Sequence, residues 1–283
     1  MLSGLFFHFQ YVKLLTAVKD TILEEQQQLK TLIGFRGVTG AGGSTLINAI
    51  LRMRDLLPIH STSACTAVPV EVAYNFNDDE DQLFRAEVEF ATREEWEQEL
   101  DLLFRDVKAH LSHGWGSNVV EDHDRIERIM DALDKVKYVY PELKSIADLR
   151  GTSVSQLLDE KHVKGILGST TFIRSRKQSQ FSRAIIRYIA TEESYRKDFA
   201  HWPLVKCVKI FVKSKILETG IVLVDLPGSM DSNAARGAVA GNYQKHLAMT
   251  CIVFDGRRGV SDANVSQRLC SVLFFFLVLT LHR

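Results

Sequence analysis

The sequence predicts an α/β fold, a mostly parallel sheet flanked by helices and interrupted by a long helical block. Three observations predict it. A glycine-rich stretch, GVTGAGGST at residues 37–45, stands between a short β-prone run and a helical one. A continuous apolar run, GIVLVDLPG at 220–228, places an acid where the run ends, the mark of a strand buried on both faces. Between them, residues 92–200 read as helix.

Each element follows from its pattern. Leu14, Leu15, Val18, Ile22 and Leu29 recur at helical spacing and predict an amphipathic helix over 12–30. TLIGFRG predicts the first strand, at 31–37. Leu46, Ile47, Ile50 and Leu51 restore helical periodicity after the glycines. Residues 68–76 and the alternating FRAEVEF at 84–90 predict two strands. The acidic NDDEDQ between them reads as a turn, so these two are expected to pair antiparallel.

Thr92 with Glu95 three residues on is a capping-box signature that opens the helical block. Further helices are expected over 121–138, 154–164 and 179–198. LVKCVKIFV at 204–212 alternates as a strand, and TCIVFDG at 250–256 is a buried-type strand after a helix expected over 233–247. The expected organisation is a leading helix at 1–30, one α/β domain at 31–268 with a helical insertion at 92–200, and an atypical apolar tail at 269–283.

Composition narrows the function. Lys plus Arg and Asp plus Glu are 35 each, so the formal net charge is zero. No whole-surface field for nucleic acid or anionic membrane is predicted. The four cysteines form no C-x-x-C pair, which argues against zinc or a disulfide framework and for buried reduced thiols. The apolar run near the C-terminus is shorter than the ~20 residues a spanning helix needs, so a buried strand, a buried helix or a non-native tail is expected there. The N-terminal residues lack the marks of a signal peptide. An intracellular protein, nuclear or cytoplasmic, is the expectation.

The glycine stretch fits G-x-x-x-x-G-K-[ST] at every fixed position but one. Gly37 and Gly42 are the required glycines and Ser44 the hydroxyl, while Gly43 stands where the pattern has lysine. Such a loop turns backbone N–H groups onto an anion at a helix N-terminus, where the macrodipole adds partial positive charge. The expected nucleotide-binding residues are Gly37, Val38, Thr39, Gly40, Ala41, Gly42, Gly43, Ser44, Thr45, Asp225 and Gly228. Asp225 can hold Mg²⁺, and Gly228 can offer a backbone N–H to a γ-phosphate. Thr66, in the loop after the first helix, can close over the metal, so Ser44, Thr66 and Asp225 are the expected metal set.

The basic run 174–187 and the histidines at 110 and 113 are expected to be solvated helix and loop surface. No catalytic residue that positions water is assigned.

On GVTGAGGSTLINAIL, ACTAVPVEVAYN, RAEVEF, EEWEQEL, GIVLVDLPGSMDSNAARGAVAGNY and CIVFDG, the chain resembles the dynamin superfamily of large GTPases. Within it, the resemblance is closest to the fungal and animal group like the nuclear GTPase SLIP-GC. It implies GTP and GDP as ligands, Mg²⁺ as cofactor and self-association through the G domain. It also implies phosphate-loop roles for residues 37–45, a switch role for Thr66, and metal and γ-phosphate roles for Asp225 and Gly228. Two departures stand out. Gly43 replaces lysine, and no [NT]-K-x-D base-recognition motif follows Gly228, so a GTP-binding protein with impaired hydrolysis is expected, the alternatives being a non-catalytic interaction module and a truncated, non-functional fragment.

Overall fold

The computed structural model describes residues 30–37, 41–59, 66–112, 119–190, 199–227, 243, 245–255 and 276–281. Among the described residues eight strands form one mixed sheet: β1 (Thr31–Gly37), β2 (Val70–Tyr74), β3 (Phe84–Phe90), β4 (Thr170–Ser175), β5 (Val205–Val212), β6 (Ile221–Asp225), β7 (Met249–Asp255) and β8 (Phe276–Leu281). Their spatial order is β4-β3-β5-β2-β6-β1-β7-β8. The β5–β2, β6–β1, β1–β7 and β7–β8 pairings are parallel, and the other three are antiparallel. The apolar tail contributes β8, which pairs parallel with β7 from Thr250↔Phe276 to Asp255↔Leu281.

Helices follow the chain as α1 (Gly43–Leu51), α2 (Arg93–Ser112), α3 (Val119–Val139), α4 (Ile146–Leu149), α5 (Val154–Asp159), α6 (Lys161–Lys164) and α7 (Gln178–Ile189). One main core joins these helices to one face of the sheet. It holds Phe35, Val70, Val72, Ala86, Val88, Val208, Ile210, Val212, Leu223 and Val253 from the strands, with Ile47, Trp96, Leu133, Phe181 and Ile185 from the helices. On β6 the alternation sends Val222 and Val224 to the opposite face, into a smaller cluster with Leu226 and Leu247. The helices expected over 12–30 and 233–247 lie outside the described residues, apart from isolated positions.

Two expectations are corrected. First, β2 and β3 run antiparallel but do not pair. β5 lies between them, parallel to β2 at Val70↔Val208 and antiparallel to β3 at Val88↔Val208. The connection is too long to force a hairpin, and it has to cross two strand spacings of about 4.8 Å each. Asn75, fully buried, anchors it by donating to the carbonyls of Gln82 and Leu83 at 2.8 and 3.2 Å. Second, the block at 92–200 is not wholly helical. It contains β4, an edge strand whose Thr170, Phe172 and Arg174 are exposed. The helix expected over 154–164 is two short helices, because Glu160 takes φ −54° and ψ 129° between them.

The predicted capping box is present. The Thr92 N–H donates to Glu95 Oε2 at 2.9 Å, and the Glu95 N–H donates to Thr92 Oγ1 at 3.2 Å. The block is held internally by a polar clasp in its core. The Trp96 indole N–H donates to the Tyr140 hydroxyl at 3.1 Å, and that hydroxyl donates to the Leu157 carbonyl at 3.0 Å. Burial pushes the Tyr140 hydroxyl up to about 12, so it stays a neutral donor. Tyr140→Phe strands both partners, and each unsatisfied group costs about 1–3 kcal/mol. The variant is expected to melt about 5–10 °C lower by circular dichroism.

Candidate functional site

β1 delivers the chain to the glycine loop in the centre of the sheet. Gly37 ends that strand against β7, and a Cβ there would lie 2.4 Å from the Val253 carbonyl oxygen and 3.0 Å from the Ala41 Cβ. Only glycine fits so close to a neighbouring backbone. Gly42, immediately before α1, sits at φ 103° and ψ 21°, a left-handed conformation that costs glycine nothing. Its carbonyl accepts from the Leu46 N–H at 2.8 Å and begins the helix. Gly37 and Gly42 are thus glycine for identifiable steric and conformational reasons, and the start of α1 lies beside the C-terminal end of β6.

Asp225 ends β6, opposite Phe35 of β1 and Val70 of β2. It is 4% exposed. Ser44, in the first turn of α1, donates its hydroxyl to Asp225 Oδ2 at 2.5 Å. The Thr66 hydroxyl donates to the same oxygen at 3.1 Å. Ser44 Oγ and Thr66 Oγ1 are 3.2 Å apart. The three residues expected to hold a metal, from three separate parts of the chain, thus meet around one carboxylate oxygen.

Gly43 is the first residue of α1, and a Cβ there would meet only Asp225 Oδ1, at 3.2 Å. A side chain at 43 would leave the backbone beside the acid, where the phosphate-loop pattern has its lysine. Burial raises the Asp225 carboxyl to about 6, while the hydrogen bonds from Ser44 and Thr66 work against the rise. Among the described residues, no charged side chain contributes to that balance.

The donor set fits Mg²⁺. Two hydroxyls and a carboxylate are hard oxygen ligands, and Mg²⁺ takes few protein oxygens while keeping waters. Among the described residues no cluster of three His, Cys, Asp or Glu side chains suggests a different metal.

The raised Asp225 has a signed consequence. Its folded value lies above the ordinary 3.8, so the folded chain binds that proton more tightly than the unfolded chain does. The stability this adds is complete below about pH 4 and is lost as the pH rises through about 6. The change is on the order of 3 kcal/mol. In metal-free buffer, the melting temperature of the wild type should fall across this window relative to Asp225→Asn, whose amide does not titrate. Added Mg²⁺ should restore stability at pH 7.5 and do little at pH 5. Parallel curves for the two proteins would contradict this.

Val38, Thr39, Gly40 and Gly228 lie outside the described residues. Thr45 is the third residue of α1, behind Ser44. Arg174, Arg176, Lys177, Arg183 and Arg187 of the basic run are exposed, and Arg176 pairs with Glu80 at 2.9 Å. Cys207 and Cys251 are buried free thiols, and burial raises Cys207 to about 12, so it is inert.

Two supporting contacts had no direct signature in the residue pattern. Asn48, buried on α1, donates to the Leu57 carbonyl and accepts from the Leu57 N–H, both at 2.9 Å. An Asn inside a helix is a poor helix former, and that was the available signal. The Tyr243 hydroxyl bridges Glu71 Oε1 at 3.0 Å and Cys207 Sγ at 2.8 Å, pinning the chain after β6 onto β2 and β5.

A glycine-flanked helix start after the first strand, an acid ending the adjacent parallel strand and a hydroxyl from the following loop form the arrangement of the phosphate-loop class. The profile of the Dynamin family matches residues 33–269, and the chain belongs to that family as a dynamin-type GTPase domain. It is similar to the nuclear GTPase SLIP-GC of Mus musculus, 28% identical over 256 residues, covering 88% of this chain and 31% of the mouse protein. The Homo sapiens nuclear GTPase SLIP-GC is 27% identical over 210 residues, covering 72% of this chain and 25% of the human protein. The chain therefore spans less than a third of the length of these relatives. A solved structure of an oligomerised bacterial dynamin pair shares the fold, with a TM-score of 0.50 and 17% identity over 93% of this chain and 29% of that one.

Proposed function

We propose that this chain binds a guanine nucleotide with Mg²⁺ at the α1 N-terminus and hydrolyses GTP poorly. The observation that carries the reading is the convergence of Ser44, Thr66 and Asp225 around one oxygen, with Ser44 and Thr66 within 3.2 Å of each other. The N–H groups of the loop and the α1 dipole bind phosphate. Ser44, Thr66 and Asp225 hold the metal, which when bound offsets charge on the phosphate oxygens. Guanine as the base comes from membership of the family, not from a base-reading motif in these residues.

Gly43 sets the limit on activity. Its backbone N–H remains in the loop, but the cation that would offset transition-state charge is missing, and one such charge-assisted hydrogen bond is worth about 1.5–3 kcal/mol. This favours a second reading of the same site, a nucleotide-responsive interaction module with little turnover. Self-association through the G domain and a nuclear location are part of the proposal, and they follow from the family and from the names of the relatives. The block at 92–200 is read as an insertion between the switch threonine and the strand that ends in Asp225.

The test is a titration with a fluorescent guanine nucleotide in Mg²⁺ and in EDTA. Wild type should bind more tightly with Mg²⁺, and Asp225→Ala should lose that gain. Equal affinity in both buffers for wild type would refute the metal-assisted site.

A further inference from the structure

We infer that helix α7, far from the phosphate loop in sequence, positions Thr66 in the metal site. The inference rests on the reading just given and concerns its regulation. Thr66 forms an isolated antiparallel bridge with Ala190, directly after α7. The Ala67 N–H donates to the Ile189 carbonyl at 2.8 Å. A backbone bridge of this kind fixes the direction in which the Thr66 side chain leaves the chain. That side chain reaches Ser44 and Asp225.

α7 is itself held from the other side. Phe181, Ile185 and Ile189 are buried at 1% exposure or less. Gln178 Nε2 donates to the Arg54 carbonyl at 2.6 Å, and the Ser182 hydroxyl donates to the Leu56 carbonyl at 3.3 Å. Residues 54–57 follow α1 and are clasped to it by Asn48. The contacts therefore close a ring. It runs from Ser44 along α1 to Asn48, across to Leu57, through Leu56 to α7, and from Ile189 to Ala67, ending with Thr66 against Ser44. α7 is the strut that sets the Thr66–Ser44 gap, and any load on its exposed basic face, at Arg183 and Arg187, acts on the metal site through that strut.

Ala67→Pro removes the donated N–H, but its ring also restricts the backbone of Thr66. It is therefore measured beside the double variant Gln178→Ala, Ser182→Ala, which loosens α7 without altering residues 66 or 67. Ala67→Gly keeps the N–H. With a fluorescent guanine nucleotide as probe, Ala67→Pro should cut the Mg²⁺-dependent gain in affinity by about fivefold or more, the effect of losing one hydrogen bond that orders a ligand. Its affinity in EDTA should stay within about twofold of wild type, and Ala67→Gly should behave as wild type. If Ala67→Pro retains the gain, or loses affinity equally in both buffers, α7 does not position Thr66.

A second arm needs neither nucleotide nor the proline variant. In nucleotide-free protein, the double variant Gln178→Ala, Ser182→Ala should speed amide hydrogen exchange at residues 66–68 by about fivefold or more and leave β1 unchanged. Unchanged exchange at 66–68 overturns the inference. Wild type that binds no nucleotide defeats the functional proposal while leaving this arm to decide the structural one.

Discussion

Gly37→Ala is expected to destabilise the domain by about 3 kcal/mol and to abolish nucleotide binding. The added methyl would stand 2.4 Å from the Val253 carbonyl oxygen and 3.0 Å from Ala41. The first neighbour is backbone in the partner strand, so β1 and β7 must part at the point where the loop begins. Gly34→Ala is the informative control. Its Cβ would meet the Leu247 Cδ1 at 2.5 Å, which is equally close, but that atom is the end of a side chain that can rotate away. Chemical denaturation should rank Gly37→Ala well below Gly34→Ala in midpoint. Similar midpoints would mean the strand end is more yielding than its close approach to Val253 implies.

Gly43→Lys is expected to raise nucleotide affinity by about tenfold or more, and GTP turnover by a larger factor. The position accepts a side chain. Gly43 begins α1, and its Cβ would meet only Asp225 Oδ1 at 3.2 Å, which a small shift of the carboxylate relieves. Lysine there also removes a glycine from the first turn of a helix, worth up to about 1 kcal/mol. The new ammonium would neutralise the buried Asp225, so the carboxyl should ionise at lower pH than in wild type. Phosphate release under saturating GTP, measured beside the titration, separates two outcomes. A gain in both identifies Gly43 as the lesion in an otherwise competent site. A gain in binding with unchanged turnover places a further deficit elsewhere and supports the interaction-module reading.

The candidate site was legible because its chemistry restricts residue type and spacing together. Ser44, Thr66 and Asp225 could be named from a glycine loop, a following threonine and an acid at the end of an apolar strand, and the fold brings all three within hydrogen-bond reach. A strand was legible where both faces are buried, as in β6, or where its run is continuously apolar, as in β7. β4 was not, since an edge strand with alternate residues exposed needs no apolar stripe, and it lies among helices. The β2–β3 pairing was misread because local pattern cannot report a strand that arrives more than a hundred residues later. The Ala67–Ile189 contact was invisible for a more basic reason. It joins an N–H to a carbonyl, groups that nearly every residue carries.

The insertion of β5 between β2 and β3 has a consequence for how the molecule is made. β2 is synthesised early and waits for residues 205–212, β3 has only the edge strand β4 until then, and β1 waits for Ile221 through Asp225. At about 5–20 residues per second, the glycine loop leaves the ribosome roughly 10–40 s before its acid does. For most of that interval β1 and β2 have no partners, while the block at 92–200 can gather contacts of its own and supply β4 to β3. The metal set and the middle of the sheet must then form in a single late step, slowed by the long loops it closes. A nascent chain halted before residue 225 would carry the whole phosphate loop and none of its function.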